Sequence, residues 1–266
     1  MVSKVRSHLA LNFPNFFTTK TILDQDAKHL AFSLCPENFG RALVLSEFIR
    51  HIRSHFELNQ QIRVAVVGGY KDEPEIRALF ALGIPFELEI FGIENDMTFL
   101  DLNLAQEPHQ NAGGKFDLIL CSQVWEHIWN HEAAFRNLAN LISSATLLWI
   151  ACPASNRAHG SPEYYSAGFA PEYFLKNLIR FELEALAYGN IGTQRNYFAT
   201  HALPAWLSVR GHRIPPVFAF SQFGLLAKTI LSIRYLPRTI FLLFTSQRLS
   251  SERRFATETW LLLRRP

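Results

Sequence analysis

Cysteine is scarce in this chain of 266 residues, and the few present lack any metal-ligand spacing. Cys35, Cys121 and Cys152 are odd in number and two of them lie in apolar runs, so they read as reduced thiols; a disulfide framework is excluded and a cytoplasmic compartment is expected. A secretory leader is lacking too. MVSKVRSHLALNF has basic residues but only a short apolar stretch and no small-residue cleavage site, and it reads as mature chain. No segment reaches the roughly 20 predominantly apolar residues of a spanning helix, because Lys228 and Arg234 interrupt the richest one, 217–236. There is no internal repeat and no low-complexity tract. HExxH is missing around Glu126, His127 and His131, so no metal is expected there. The spaced glycines that approach a pyrophosphate are missing from GGYKDE, which weighs against a nicotinamide-dependent oxidoreductase.

What is present is a hydrophobic content of 48%, enough for a sizeable core in one large domain or one domain with an appendage. The formal charge of +3 hides an asymmetry. Residues 204–266 carry ten Lys/Arg against two Asp/Glu, leaving the rest of the chain at −5. That basic stretch is aliphatic and Phe-rich, which suits a membrane surface or a protein groove better than a phosphate track, so no nucleic-acid partner is expected.

Local patterns set the element order. Leu45, Phe48, Ile49, Ile52 and Phe56 recur at helical spacing within 38–56, IRVAVVGG (62–69) is a β-branched run stopped by two glycines, and DEPEIRALFAL has Pro74 near a helix start with Gly83 past its end. Strands follow at FELEIFGIE (86–94) and within MTFLDLN, then FDLILCS, a helix over roughly 130–142, and ATLLWIACP (145–153). APEYFLKNLI (170–179) reads as a helix and FELEALAYGNIG as a strand. Strands alternating with helices, several of them apolar on both faces, predict an α/β fold: a doubly wound, mostly parallel sheet with helices on both faces. The organisation expected is an N-terminal helical segment (1–58), an α/β core with an acceptor loop (59–203) and a C-terminal helical appendage (204–266) acting as lid, membrane contact or oligomer contact. Within it, 217–244 carries a polar stripe of Ser221, Lys228, Ser232 and Thr239.

In open α/β sheets the ligand sits beyond the carboxyl ends of the strands. Gly68 and Gly69 end the first strand, Glu94 the second; Asp101 and Leu102 follow the third, Ser122 and Gln123 the fourth, and Pro153 to Asn156 the fifth. Glycine admits close backbone approach. An acid after the second strand can accept both hydroxyls of a ribose, and one after the third an adenine amino group, so these positions describe an adenosine site, with Asp96 in reserve for Glu94.

RVAVVGG, FGIE, FLDLN and above all FDLILCSQVWEHI, in that order, resemble the class I S-adenosylmethionine-dependent methyltransferases over roughly residues 60–180. The resemblance implies a Rossmann-like fold, S-adenosyl-L-methionine as cofactor, and cofactor contacts from Gly68, Gly69, Glu94, Asp101, Leu102, Ser122 and Gln123. The chain departs from the family where an acid usually stands two places before the first glycine; Val66 stands there. Glu126 and His127 are expected at the rim of the cofactor and acceptor pocket. The polar stretch 152–174 reads as an acceptor-binding loop, contributing Asn156, Tyr164 and Tyr165, with Arg195 and Tyr197 near a further strand end. His127 or His159 is the candidate base for a hydroxyl acceptor, histidine being the side-chain type suited to proton transfer near neutral pH. The expected reaction is O-methylation of a small-molecule, glycan or lipid-linked acceptor; a membrane-surface binding or scaffold protein without turnover is the alternative.

Overall fold

A computed structural model describes residues 25–35, 39–106, 115–155, 164–192 and 256–266. Helices α1 (Gln25–Leu34) and α2 (Phe39–His55) precede strand β1 (Ile62–Val67), helix α3 (Pro74–Ala81), β2 (Phe86–Gly92) and β3 (Thr98–Phe99). Then come β4 (Leu118–Ser122), a 3-10 turn (Trp125–His127), α4 (His131–Leu141), β5 (Leu147–Pro153), α5 (Pro171–Leu178), a second 3-10 turn (Ile179–Phe181), β6 (Glu184–Ile191) and β7 (Glu258–Arg264).

The local signals act as their chemistry dictates. Pro74 and Pro171 start α3 and α5, where a missing N–H costs nothing. Asn130 caps α4, its side chain accepting from the Ala133 N–H at 3.2 Å. After α3 the chain turns at Gly83 with φ +70°; no atom stands within 4 Å of where its Cβ would lie, so the backbone angle and not space calls for glycine.

The seven strands order as β3-β2-β1-β4-β5-β7-β6, all parallel except β7, which runs antiparallel to both neighbours. One face is covered by α1, α2 and α3 around Phe48, Ile49, Val64, Leu120 and Trp149; the other by α4 and α5 around Trp125, Phe135, Phe174 and Leu261. The segment before residue 58 therefore shares its core with the sheet. Trp149 stacks on Trp260 at 5.3 Å and meets Phe48 edge-on at the same separation, tying β5, β7 and α2 together.

The link from β2 to β3 has no helix, since only residues 93–97 lie between them. Parallel strands ordinarily need a long crossover. Here β3 pairs only with the last two residues of β2, Phe91↔Thr98 and Gly92↔Phe99, so the chain needs to return by only about two residues of strand rise.

One expectation needs correcting. Residues 258–264 do not belong to a C-terminal appendage: they are a strand inside the sheet, hydrogen-bonded to β5 from Leu148↔Leu263 to Pro153↔Glu258 and to β6 from Glu184↔Arg264 to Ile191↔Glu258. The reason is burial. ETWLLL is an apolar run with both faces covered, buried along its length as far as Leu263. The rest of the expected appendage lies outside the described residues. Replacing Leu261 by Ala should therefore cost about 2–5 kcal/mol in urea unfolding, as for a core leucine; a change below about 0.5 kcal/mol, as at a surface site, would refute this placement.

Candidate functional site

The pairing register fixes which residues share a rim. Val66 lies opposite Leu120 and Val67 opposite Phe91, so Gly68 is level with Ser122 on one side and Gly92 on the other. Glu94 follows Gly92 by two residues and Asp101 follows Phe99 by two, so Gly68, Glu94, Asp101 and Ser122 all emerge at the carboxyl end of the parallel strands. The strand order reverses between β1 and β4, and the helices that follow them go to opposite faces, which makes their shared end the switch point of the sheet.

The side chains are arranged as follows. Tyr70 donates its hydroxyl to Glu94 Oε1 at 3.0 Å, and Glu94 is exposed. Asp101 Oδ1 accepts the Asn103 N–H at 2.8 Å, and its carbonyl accepts from Asn137 Nδ2 at 3.1 Å. Leu102 is buried against the α4 side of the sheet. Gly68 has φ +73°, and its N–H donates to the Phe91 carbonyl. A Cβ at Gly68 would come within 2.7 Å of Val124 Cγ1, so the space glycine opens is taken by a protein side chain. At Gly69 a Cβ would lie 3.0 Å from Glu73 Oε1.

Beneath the rim is a buried polar network in which Ser122 and Gln123, expected to contact a cofactor, are engaged by glutamates that no sequence pattern marks. Ser122 donates to Glu75 Oε1 at 2.7 Å, and Gln123, held at φ +57°, donates through Nε2 to Glu258 Oε2 at 3.1 Å. Arg41 in the first turn of α2 pairs with Glu73 and stands 3.9 Å from Glu75 Oε2. Burial works against the Arg41 charge, yet Glu75 and Glu73 more than offset it and its pKa ends raised. Burial pushes the Glu258 carboxyl up to about 8, against Gln123 and Arg41 and reinforced by Glu126 and Glu75. The signals for this network were Glu73 and Glu75 flanking Pro74 and the glutamate opening ETWLLL, but helix starts are commonly acidic, and nothing local brings residue 258 to residue 123.

Glu126 was expected at the rim and is instead fully buried. The turn Trp125–His127 carries Trp125 into the core against Phe135 and Phe174, and Glu126 goes inward with it, within electrostatic reach of Cys121 and Cys152. His127 is half-buried, its ring 6.1 Å from that of Tyr164. Tyr164 is half-buried and Tyr165 exposed, and the Tyr165 N–H donates to the Glu126 carbonyl at 2.8 Å, fixing the end of the expected acceptor loop beside β4. His131 is set in an aromatic nest of Trp125, Phe169 and Tyr173, where burial lowers its pKa. Asn156, His159, Arg195, Tyr197 and the segment 217–244 lie outside the described residues. Six of the nine exposed large hydrophobic residues described, Tyr70, Ile93, Phe99, Leu104, Trp129 and Tyr165, border the strand ends of this rim.

No protein-family model matches the sequence, and no curated protein matches it. Among solved structures the chain is similar to the [4+2]-cyclase SpnF, at 15% identity over 91% of this chain and 95% of that one, TM-score 0.48. It is similar to coclaurine N-methyltransferase bound to N-methylheliamine and S-adenosylhomocysteine (10% identity, 99% and 92%, TM-score 0.48). A third is the O-methyltransferase from a trans-AT polyketide synthase of Brevibacillus brevis in complex with S-adenosylhomocysteine (13% identity, 95% and 81%, TM-score 0.46). These are likenesses of fold; strand order and the residues at the rim carry the reading that follows.

The raised pKa of Glu258 has a signed consequence. Below about pH 4.5 folded and unfolded chains both hold this proton; as pH rises from there to about 8, the unfolded chain loses it and the folded one keeps it, so stability falls across that window. Glu258→Gln should flatten the fall, raising the urea midpoint relative to wild type at pH 8 and changing it little at pH 4.5. Equal effects at both pH values would contradict a buried proton.

Proposed function

We propose that the protein is an S-adenosylmethionine-dependent methyltransferase that transfers the methyl group to an oxygen of a small-molecule, glycan or lipid-linked acceptor. One observation carries this: Gly68, Glu94, Asp101 and Ser122, scattered along the sequence, emerge together at the switch point of a doubly wound sheet. The residues fit an adenosyl group. Glu94 and Asp101 each engage one carboxylate oxygen within the protein, which supports Glu94 toward a ribose diol and Asp101 toward an adenine amino group.

The bound cofactor supplies an electrophilic methyl on a sulfonium, and transfer is an in-line displacement. The chain's part is to align donor and acceptor and exclude water. His127, half-buried beside Tyr164, is the described candidate for taking the acceptor's proton, with His159 as the other. The apolar rim favours an acceptor with a hydrophobic portion. The chain leaves β6 and re-enters β7 at this same rim, where the Thr257 N–H donates to the Ile191 carbonyl at 2.8 Å, so the intervening segment starts and ends beside the acceptor side. Its basic, apolar composition supports peripheral contact with an anionic membrane from a cytoplasmic position.

A second reading, a methyltransferase-like binding protein without turnover, is favoured by Val124 filling the space at Gly68 and by Val66 in place of the family's acid. Calorimetry tests the first step: wild type should bind S-adenosylhomocysteine, and Glu94→Ala should weaken it about 10- to 100-fold, the worth of a hydrogen bond to a charged group. Absence of binding to the wild type would sink the adenosyl reading. Binding without methyl incorporation into any component of a cell extract supplied with labelled donor would favour the second reading. Flotation should show association with anionic liposomes that salt abolishes; no association would remove the membrane contact.

A further inference from the structure

The last two turns of α2 carry His51 and His55, a spacing that sets both rings on one side of the helix, with centroids 6.4 Å apart. His55 is exposed; His51 is half-buried, its ring 5.3 Å from that of Trp260 on β7. The pair lies at the opposite end of α2 from Arg41 and takes no part in the rim.

Each ring has a partner that can play one role only. A carbonyl only accepts, and the His51 carbonyl lies 2.8 Å from His55 Nδ1, so His55 holds a proton on Nδ1 and its lone pair belongs to Nε2. A guanidinium only donates, and Arg50 Nη2 lies 2.9 Å from His51 Nε2, so His51 also presents its lone pair at Nε2. Two histidines at this helical spacing are a metal chelate, and an Nδ1–H held by a carbonyl is the support that orients a ligating imidazole.

His51 already receives a cation. Arg50 donates to Glu47 Oε2 through Nε at 3.0 Å and Nη2 at 2.7 Å, and the same Nη2 reaches His51. A metal at His51 Nε2 takes one shared hydrogen bond from Arg50 and leaves it paired with Glu47 through Nε. An ion about 2.0–2.1 Å from both Nε2 atoms at a tetrahedral angle sets the ring centres about 5 Å apart, a gap that the exposed His55 closes by a small side-chain rotation.

We infer that His51 and His55 form a binding site for a divalent transition-metal ion of the zinc type, which staples the last two turns of α2. Imidazole ligands select zinc, nickel or copper over magnesium or calcium. No group of three or more metal-ligating side chains occurs among the described residues, so water completes the coordination. The site stands apart from the adenosyl reading and does not depend on it.

Calorimetry of the full chain with Zn²⁺ at pH 7 tests the site. Wild type should bind one zinc more per chain than His55→Ala, and Mg²⁺ should not compete for it. Arg50→Gln, which removes the competing cation, should tighten that zinc about tenfold. Urea unfolding without metal checks that both variants are folded. Equal zinc stoichiometry in wild type and His55→Ala overturns the site, as does a zinc affinity that Arg50→Gln leaves unchanged or weakens.

Discussion

The structure depends on a reversal. Strands β2 and β3 lie to one side of β1, and β4, β5, β7 and β6 to the other, so the helices leaving β1 and β4 depart to opposite faces of the sheet. No helix then crosses the ends of these two strands, and the residues that follow them are available to one another. The buried network of Ser122, Glu75, Gln123 and Glu258 forms there because β4 ends between an α3 on one face and a β7 that begins at the same level.

That placement has an electrostatic cost shared among distant elements. Arg41 comes from α2, Glu73 and Glu75 from α3 and its approach, Glu258 from β7. Each is costly alone in a core; together they form a partly compensated cluster in which burial, more than the neighbouring carboxylates, pushes the Glu258 carboxyl up to about 8. Gly40 contributes by absence. A Cβ there would lie 3.1 Å from Glu258 Cγ, tighter than ordinary contact, so a side chain at this position would make Glu258 or Thr257 shift by a few tenths of an ångström.

Where a segment's partners were local, the sequence was readable. The β-branched run ending in Gly68, Pro74 and Gly83 around α3, and the apolar β4 and β5 all carry their own periodicity or punctuation. β7 was not legible, because its partners lie at 147–153 and 184–191 and a short apolar run beside a basic stretch looks the same in a strand as in a helix. The rim positions of Gly68, Glu94, Asp101 and Ser122 followed from strand ends alone. The inward turn of Glu126 did not, since it depends on Trp125 finding Phe135 and Phe174 across the core.

The short β2–β3 link raises the question of what positions Asp101 when no crossover helix supports it. The answer comes from the other side of the cleft. Asn103 Oδ1 accepts the Trp129 and Asn130 N–H groups at 2.9 and 3.2 Å, Asn130 Nδ2 donates back to the Asn103 carbonyl, and the buried Asn137 donates to the Asp101 and Leu104 carbonyls. Asn137 also accepts the Gln106 N–H through Oδ1, so one side chain satisfies three backbone groups of the segment. A loop that would otherwise hang from a two-residue edge strand is thereby fastened to the start of α4, and α4 in turn is positioned by β4. Asp101 and Ser122 are thus held relative to each other by hydrogen bonds across the switch point, as well as by the sheet that both leave.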